Sequence, residues 1–196
     1  MMANIQRIQA IFIGTSAGGV FALNKIFRSL PDNFRTPIIV VLHLGEKSLI
    51  PSAFYPPKGV KLVEADEKEI IKSKHIYFAP AGYHLLVEND FSFSLTNEEK
   101  VQYARPSLDV TMDSLAQAYQ ENLLGIVLTG ANEDGAEGLA TIKRLGGLTV
   151  VQDLQEAEHK TMPAAAIKLG QPDFILSLKD ISSLMIKIEG TYESRN

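Results

Sequence analysis

The sequence contains no cysteine among its 196 residues. Disulfides, thiolate zinc sites, iron–sulfur clusters and a cysteine nucleophile are therefore excluded together. Long hydrophobic runs are missing as well, since none approaches the roughly 18 apolar residues that a membrane-spanning helix requires. The N-terminus also lacks the charged head, apolar stretch and cleavage site of a signal peptide. We therefore expect a cytoplasmic protein.

An excess of positive charge is also lacking. Lys and Arg number 19 against 23 Asp and Glu, which gives a formal net charge of −4. Sequence-independent binding of nucleic acid needs a positive field, so that class of function is disfavoured. Glycine (14) and proline (9) occur at ordinary frequencies, which excludes collagen-like and Pro/Gly-rich disordered chains. The length and a 45% hydrophobic content predict a single domain over residues 1–196.

Short β-branched apolar runs alternate with amphipathic segments along the chain. Six runs are typical of strands buried on both faces of a parallel sheet: Ile8–Ile13, Ile38–Leu42, Ile76–Ala79, Gly125–Leu128, Leu148–Val151 and Phe174–Leu178. Apolar residues at three- and four-residue steps predict helices near 20–30, 108–119 and 136–145. Such alternation indicates βαβ units, and hence an α/β fold with a mainly parallel, doubly wound sheet and helices on both faces.

Two stretches break this rhythm. Val60–Ala65 and Tyr83–Leu95 carry short alternating segments around a Glu88-Asn89-Asp90 turn. Alternation next to a polar turn is typical of hairpin strands. We therefore expect an antiparallel hairpin at one edge of this three-layer structure.

The strongest local signal follows the first predicted strand. Gly14-Thr15-Ser16-Ala17-Gly18 fits G-x-S-x-G, the strand–turn–helix elbow that exposes a nucleophilic serine. The helix N-terminus behind it offers free N–H groups and a partial positive charge, both suited to an oxyanion. A glycine-rich phosphate cradle, or a tight turn in which Ser16 caps the helix, fits the same segment. The catalytic interpretation and these two non-catalytic ones are all open at this point.

A serine nucleophile needs a base, and the chain has four histidines. His43 follows the apolar run 38–42, at the carboxyl edge where Ser16 also lies and where open α/β sheets gather ligand sites. His84 follows a loop and is the second candidate. The other two lie in polar turns, where we expect them to be solvated: His75 and His159.

The third group of such a mechanism orients the imidazole and stabilises the imidazolium. Asp134 follows another buried strand and precedes a helix, which places it at the same edge; capping that helix is its alternative role. Glu133 is the local competitor. A Ser, a His and an Asp from three strand ends together are a more specific signal than any one of them.

Several further segments occur in the order found in one known family and span roughly residues 8–178: Tyr77-Phe78-Ala79-Pro80-Ala81-Gly82-Tyr83-His84-Leu85, Arg105-Pro106-Ser107-Leu108-Asp109, Leu128-Thr129-Gly130 with Asp134-Gly135-Ala136, Val151-Gln152-Asp153 and Met162-Pro163-Ala164-Ala165-Ala166. With these segments the chain resembles the catalytic domain of the chemotaxis protein-glutamate methylesterase family, CheB. The resemblance implies a signal-transduction hydrolase that removes γ-methyl esters from chemoreceptor glutamates, with receptor glutamine deamidation as an associated activity.

The resemblance also implies roles for individual residues. It assigns the catalytic triad to Ser16, His43 and Asp134, and it suggests oxyanion-binding backbone N–H groups at Ala17 and Ala131. Three residues are candidate substrate contacts: Arg105, His84 and Met162. The implied mechanism requires no cofactor and no metal.

The implied partner is the cytoplasmic region of a methylated chemoreceptor, without nucleic acid or membrane insertion. The chain departs from the family pattern because the first strand starts near Ile8, which leaves no room for an N-terminal receiver domain. We therefore expect a catalytic domain alone that is basally open, with activity set by expression, receptor access or a separate partner such as a response regulator or receptor complex. Glu133 stands where the family commonly has Asn, and Ala131 where it often has Met, although a backbone N–H survives the second change.

Two other functions stay open on the sequence. One is a stand-alone esterase of the same fold whose substrate is not a chemoreceptor. The other is a non-catalytic phosphate-binding module built on residues 14–19, although this segment lacks the Lys and Ser/Thr of a P-loop. A serine-directed probe separates both esterases from the binding module, and methanol release from a methylated receptor separates the two esterases.

Overall fold

The structure, a computed structural model, describes residues 7–43 and 53–193. Within these ranges nine strands and five α-helices follow one another. The strands are β1 (Ala10–Thr15), β2 (Ile38–Leu42), β3 (Lys61–Glu64), β4 (His75–Phe78), β5 (His84–Val87), β6 (Phe93–Thr96), β7 (Leu123–Val127), β8 (Leu148–Gln152) and β9 (Phe174–Leu176). The helices are α1 (Gly19–Phe27), α2 (Leu108–Tyr119), α3 (Ala136–Arg144), α4 (Thr161–Gly170) and α5 (Leu178–Glu193).

Seven strands form one sheet in the order β3-β4-β2-β1-β7-β8-β9, and every pairing in it is parallel. The central strands are buried along their whole length. Their β-branched residues suit a pleated surface that is covered on both faces. The predicted α/β class with a doubly wound parallel sheet is therefore confirmed.

Each face of the sheet has its own hydrophobic core, because successive strand residues point to opposite faces. On one face, Ile11 and Ile13 belong to a cluster that includes the inner sides of α1 and α5. On the other face, Phe12 belongs to a cluster with α2, α3 and α4. The result is a three-layer molecule. No helix in the described part of the chain is both long and apolar enough to cross a bilayer.

The predicted elements agree best with the observed ones where the hydrophobic pattern is strong. Residues 38–42 form β2 and residues 108–119 form α2, as predicted. The helix predicted to stop at Gly146 ends at Arg144. Gly146 has φ +90°, the left-handed conformation that glycine adopts at helix C-termini. The last predicted strand is shorter than expected because Leu178 already begins α5.

The hairpin at Glu88-Asn89-Asp90 is present, but it stands apart from the main sheet. β5 and β6 pair only with each other, as a two-stranded antiparallel sheet, and Leu85 and Phe93 pack in the same core as α2. The stretch Val60–Ala65, expected to supply a hairpin strand, contains β3, which pairs with β4 in parallel. An edge strand is incompletely covered, so it alternates in polarity whichever direction its partner runs.

Parallel pairing brings the ends of three neighbouring strands together. β1 lies between β2 and β7, and Thr15 is paired with Leu42. Neighbouring strands are about 5 Å apart. The segments that follow these strands therefore emerge side by side at the carboxyl edge: Ser16, His43 and the loop 128–135.

Two buried aspartates cap the facing N-termini of α2 and α3. Asp134, in the loop before α3, accepts hydrogen bonds from the N–H groups of Leu108 (2.7 Å) and Asp109 (3.1 Å) in α2. Asp109 accepts one from the N–H of Gly138 (2.7 Å) in α3. The N–H groups of a first helical turn have no partner within their own helix, and a carboxylate also suits the positive end of the helix dipole. The two helices are thus fixed to each other at the carboxyl edge.

The two carboxyl groups influence each other's protonation. Burial raises the pKa of Asp109 to about 7; the nearby Asp134 carboxylate adds to this effect, whereas the Gly138 N–H opposes it. Asp109 is therefore a buried acid that is partly protonated near neutral pH.

The close contact of α2 and α3 predicts opposite effects at two helical glycines. A Cβ on Gly138 would lie 2.5 Å from Met112 Cβ, so we expect Gly138→Ala to lower the free energy of unfolding by about 1–3 kcal/mol, the usual cost of overpacking. Gly190 in α5 is the matched control, because a Cβ there meets nothing within 4 Å. Gly190→Ala should raise the free energy of unfolding by up to about 1 kcal/mol. Denaturant unfolding measures both, and a stabilising Gly138→Ala would contradict the contact.

The raised pKa of Asp109 predicts a pH-dependent stability. Its folded-state pKa lies above the unfolded value of about 3.9, so the folded protein binds more protons between about pH 4 and 7, and the contribution of Asp109 to stability falls as the pH rises through that window. Asp109→Asn removes this ionisation. We expect the free energy of unfolding of Asp109→Asn, relative to wild type, to increase from pH 4 to pH 8 in urea titrations. Asp113→Asn, exposed on the same helix, is the control, and a pH-independent difference for Asp109→Asn would refute the prediction.

Candidate active site

Ser16 lies in the turn between β1 and α1. Its backbone N–H donates to Thr129 O (3.0 Å), and its carbonyl accepts from the Gly19 N–H (2.9 Å). Gly18 has φ +80°, a left-handed conformation that lets the chain turn sharply into the helix. The Ser16 residue is partly exposed, as a nucleophile in such an elbow must be.

Thr129 fastens this turn to the end of β7. The Thr15 hydroxyl donates to Thr129 O (2.8 Å), and the Thr129 hydroxyl donates to Ala17 O (2.9 Å). The Thr129 N–H donates to Gln152 Oε1 (2.9 Å) at the end of β8. A satisfied, buried polar network of this kind is rigid. It holds the backbone on both sides of Ser16.

Asp134 and His43 form a buried pair. His43 Nε2 lies 3.0 Å from Asp134 Oδ2, and Asp134 is completely buried. The N–H direction is misaligned with that oxygen, so the contact is electrostatic rather than a straight hydrogen bond. Asp134 also accepts from the Ser107 hydroxyl (2.9 Å). The approach of α2 that supplies these partners depends on Gly14, because a Cβ there would lie 2.3 Å from the Leu108 side chain.

Burial is the largest influence on the pKa of Asp134 and acts to raise it, yet the net direction is downward. The His43 contact and the N–H groups of Leu108 and Asp109 favour the charged form and together outweigh burial. Asp134 is therefore a carboxylate, able to stabilise an imidazolium at His43. Glu133, the alternative acid, is exposed, and within the described ranges it forms no ion pair with His43.

Asn132 holds the other ring nitrogen of His43. Asn132 Nδ2 lies 3.0 Å from His43 Nδ1, while the Asp134 N–H donates to Asn132 Oδ1 (3.3 Å). The second contact assigns the amide orientation, because an oxygen must face that N–H. Nδ2 then donates to Nδ1, so neutral His43 carries its proton on Nε2. The contact of Asn132 with His43 was not predicted from the sequence. The position of Asn132 two residues before Asp134 is the one feature of the sequence that could have indicated it.

His84, the second candidate base, is 2% exposed and bound to the backbone on both sides. Its Nδ1 accepts from the Ser107 N–H (3.2 Å), and its Nε2 donates to Glu99 O (3.0 Å). Neither nitrogen is available to a nucleophile or a substrate. His84 instead positions Ser107, whose hydroxyl donates to Asp134.

A cleft of about 470 Å³ opens beside His43. Besides His43 and Asn132, its described lining comes from two loops, residues 81–82 and 100–106. The second loop contains a tight turn in which Val101 and Ala104 exchange two backbone hydrogen bonds, of 3.2 and 2.9 Å. The two central residues of that turn both have positive φ, a conformation that is costly for residues other than glycine.

The cleft contains two cations, Arg105 and Lys100. Arg105 was predicted as a substrate contact, but its Nη1 already donates to the carbonyls of Asn97 (2.7 Å) and Glu98 (2.8 Å). Lys100 is exposed in the same loop, and Tyr103 at the tip of the turn is 98% exposed. Arg105 therefore stabilises the loop from within, and the loop presents Lys100 and Tyr103 to the cleft.

The remaining predicted residues divide into two groups. Ala17 follows Ser16 in the chain, and Ala131 lies in the loop before Asp134. Within the described ranges neither backbone N–H has a hydrogen-bond acceptor. Met162 is fully buried and lies against Gly130, so it supports the loop from inside. In residues 7–43 and 53–193 no group of three or more His, Asp or Glu side chains is arranged to hold a metal ion.

Comparison with known proteins places this geometry in a family. The CheB methylesterase family matches residues 11–185. A relative from Leptospira interrogans serogroup Icterohaemorrhagiae serovar copenhageni, provisionally named protein-glutamate methylesterase/protein-glutamine glutaminase, is 45% identical over 183 residues, which cover 92% of this chain and 95% of that protein. An Archaeoglobus fulgidus protein-glutamate methylesterase/protein-glutamine glutaminase is 36% identical over 188 residues, covering 91% of this chain and 54% of that protein.

The fold agrees with a solved member. The crystal structure of the Thermotoga maritima CheB methylesterase catalytic domain matches with a TM-score of 0.82 and 31% sequence identity, over 92% of this chain and 98% of that one. The chain spans nearly all of the Leptospira relative but about half of the Archaeoglobus protein. Because the family match, the sequence identities and the fold all agree, the chain belongs to the CheB methylesterase family of carboxylic-ester hydrolases.

Proposed function

We propose that this protein is a serine hydrolase that removes γ-methyl esters from glutamates of chemoreceptors, with Ser16, His43 and Asp134 as its catalytic triad. The observation that supports it most is that these residues leave three strand ends at one edge of the sheet, with His43 Nε2 3.0 Å from the Asp134 carboxylate. Two relatives bear names that include protein-glutamine glutaminase, so deamidation of receptor glutamines belongs to the same proposal.

The reaction follows from the protonation state of His43. Nδ1 is the basic nitrogen, because the Asn132 amide donates to it and the proton of the neutral ring is therefore on Nε2, on the side of Asp134. Ser16 Oγ attacks the ester carbonyl while its proton passes to Nδ1, and the resulting imidazolium then protonates the leaving methanol. Water hydrolyses the acyl-enzyme by the reverse proton transfer and leaves glutamate. Asp134 stabilises the imidazolium in both halves of the reaction.

The oxyanion of each tetrahedral intermediate needs hydrogen-bond donors. The Ala17 N–H follows the nucleophile and lies just before the N-cap of α1, near the positive end of the helix dipole. The Ala131 N–H, in the loop that carries Asp134, is the second candidate. One such donor stabilises the transition state by about 3 kcal/mol in comparable enzymes.

The electrostatics of the cleft favour an acidic polypeptide as substrate. The described residues that line it include two cations, Lys100 and Arg105, and no acidic residue, although the whole chain has a net charge of −4. Unesterified glutamates beside a methylated one would bring negative charge to this surface. Tyr103 offers an exposed ring to the same segment. The receptor partner, its cytoplasmic site and control by a separate response regulator are parts of this proposal.

Triad substitutions test the chemistry through methanol release from a methylated receptor. Ser16→Ala should abolish release, because the nucleophile is lost. His43→Gln should cost nearly as much, and the double variant little more, since triad members act as a unit. Asp134→Asn should lower kcat by about 10⁴-fold, because it favours the wrong tautomer.

Glu133→Gln is the matched control for the acid and should retain near wild-type release. A greater loss in Glu133→Gln than in Asp134→Asn would show that the acid is misassigned. Wild-type hydrolysis of small esters without methanol release from the receptor would instead favour an esterase with another substrate. Circular dichroism of each variant checks that the fold is intact.

Substitutions in the cleft loop test the substrate class. We expect Lys100→Ala and Tyr103→Ala each to lower kcat/KM for the methylated receptor by about tenfold, equivalent to 1.4 kcal/mol of binding, because each removes a contact to the polypeptide. Hydrolysis of p-nitrophenyl acetate should not change, since this small ester does not reach the loop. Lys179→Ala, exposed on α5, is the control. Equal losses on both substrates would contradict a role in recognition.

A further inference from the structure

The basic nitrogen of His43 already has a hydrogen-bond partner, and that partner is not the nucleophile. Asn132 Nδ2 donates to Nδ1 at 3.0 Å. In the described part of the chain, the Ser16 hydroxyl makes no hydrogen bond. The Nδ1 lone pair that must receive the serine proton is therefore occupied by an amide.

We propose that Asn132 is a positioning residue that restrains the base: its amide holds the Nδ1 lone pair of His43 in the free enzyme and must release it before Ser16 can be activated. The inference rests on the proposed function, because it takes Ser16 as the nucleophile and His43 as its base.

The chemistry of the reaction requires this release. One lone pair cannot accept a hydrogen bond from both the Asn132 amide and the Ser16 hydroxyl with good geometry. Once Nδ1 is protonated, its N–H and the amide N–H would be two donors facing each other at 3.0 Å. Asn132 therefore has to turn away, or turn its oxygen toward the ring, when the proton is transferred.

The surroundings of Asn132 allow such a movement. Its other anchor is the hydrogen bond of 3.3 Å from the Asp134 N–H, which is longer than a typical N–H···O bond. The flanking residues Ala131 and Glu133 are exposed. Asn132 also lines the cleft, so a bound substrate would contact it. Substrate binding is thereby coupled to the release of the base.

A purely structural role for Asn132 would have the opposite effect on the reaction rate. If the amide served to fix the tautomer of His43, its loss would slow the reaction. However, the Asp134 carboxylate lies 3.0 Å from Nε2, and its negative charge already favours the Nε2–H form from the other side of the ring. The tautomer should therefore survive without Asn132, and its removal should expose the base.

A fluorophosphonate probe tests the restraint without any natural substrate. Ser16 Oγ forms a bond to phosphorus, the P–F bond breaks, fluoride leaves, and the serine proton passes to His43. We expect Asn132→Ala to react about two- to tenfold faster than wild type, the factor that one net hydrogen bond supplies. Asn132→Asp keeps an oxygen for the Asp134 N–H but replaces the donor with an acceptor, which draws the proton to Nδ1. It should react at least tenfold more slowly.

Asn89→Ala, in the exposed turn between β5 and β6, is the control and should react at the wild-type rate. An unchanged or slower reaction of folded Asn132→Ala overturns the restraint. Labelling that persists in Ser16→Ala, or its absence from wild type, would overturn the proposed nucleophile instead. In that case the protonation of the His43 ring still tests whether Asn132 holds Nδ1.

Nitrogen-15 NMR of the His43 ring reports that protonation directly. We expect wild type to show a protonated Nε2 and an Nδ1 that accepts a hydrogen bond. In Asn132→Ala the Nε2–H form should persist while the Nδ1 resonance moves to the position of an unbonded nitrogen. A protonated Nδ1 in neutral wild-type His43, or an Nδ1 resonance that does not respond to Asn132→Ala, overturns the inference whatever the labelling result.

Discussion

The buried carboxylate of Asp134 at the N-terminus of α2 is the interaction on which the rest of the site depends. An isolated charge in this position would cost several kcal/mol. Two N–H groups of α2, the Ser107 hydroxyl and His43 compensate for it. His43 and the N–H groups of α2 therefore take the place of hydrating water and keep the buried acid ionised. His84 extends this support by fixing the Ser107 backbone.

The same interaction explains the close packing around it. α2 can reach Asp134 because Gly14 leaves space for Leu108 against β1, and α3 can join the two because Gly138 leaves space for Met112. Small residues at these crossings bring helix ends close enough for direct hydrogen bonds. Gly14 and Gly138 thus support the electrostatics of the site by allowing this close packing.

Much of the fold, and the place of three candidate catalytic residues in it, could be predicted from the sequence. Parallel sheet topology decides where a strand ends, so Ser16, His43 and Asp134 could be assigned to one edge from apolar runs alone. Side-chain partners could not be predicted in this way. The burial of His84 and Met162 depends on contacts between distant segments, and such contacts produce no periodic hydrophobic pattern in the local sequence.

Asn132 illustrates the same limit at the centre of the site. A polar residue in a loop is compatible with many roles, and its contact with His43 spans 89 positions of the chain. The direction of β3 escaped prediction for a related reason, since hydrophobic alternation reports exposure and not the orientation of the neighbouring strand. Residue positions that follow from sheet topology can therefore be predicted from the sequence, whereas side-chain contacts that depend on packing cannot.

The capping of α2 by Asp134 has a consequence for how this protein can evolve. Catalytic groups are commonly held at the expense of stability, so that replacing them yields a more stable, inactive fold. Asp134 would not follow that trade-off, because the proposed catalytic acid also satisfies the first turn of a core helix. A lineage that lost its activity would still be under selection to keep this aspartate. Its presence in a relative is therefore weaker proof of catalysis than the presence of the serine.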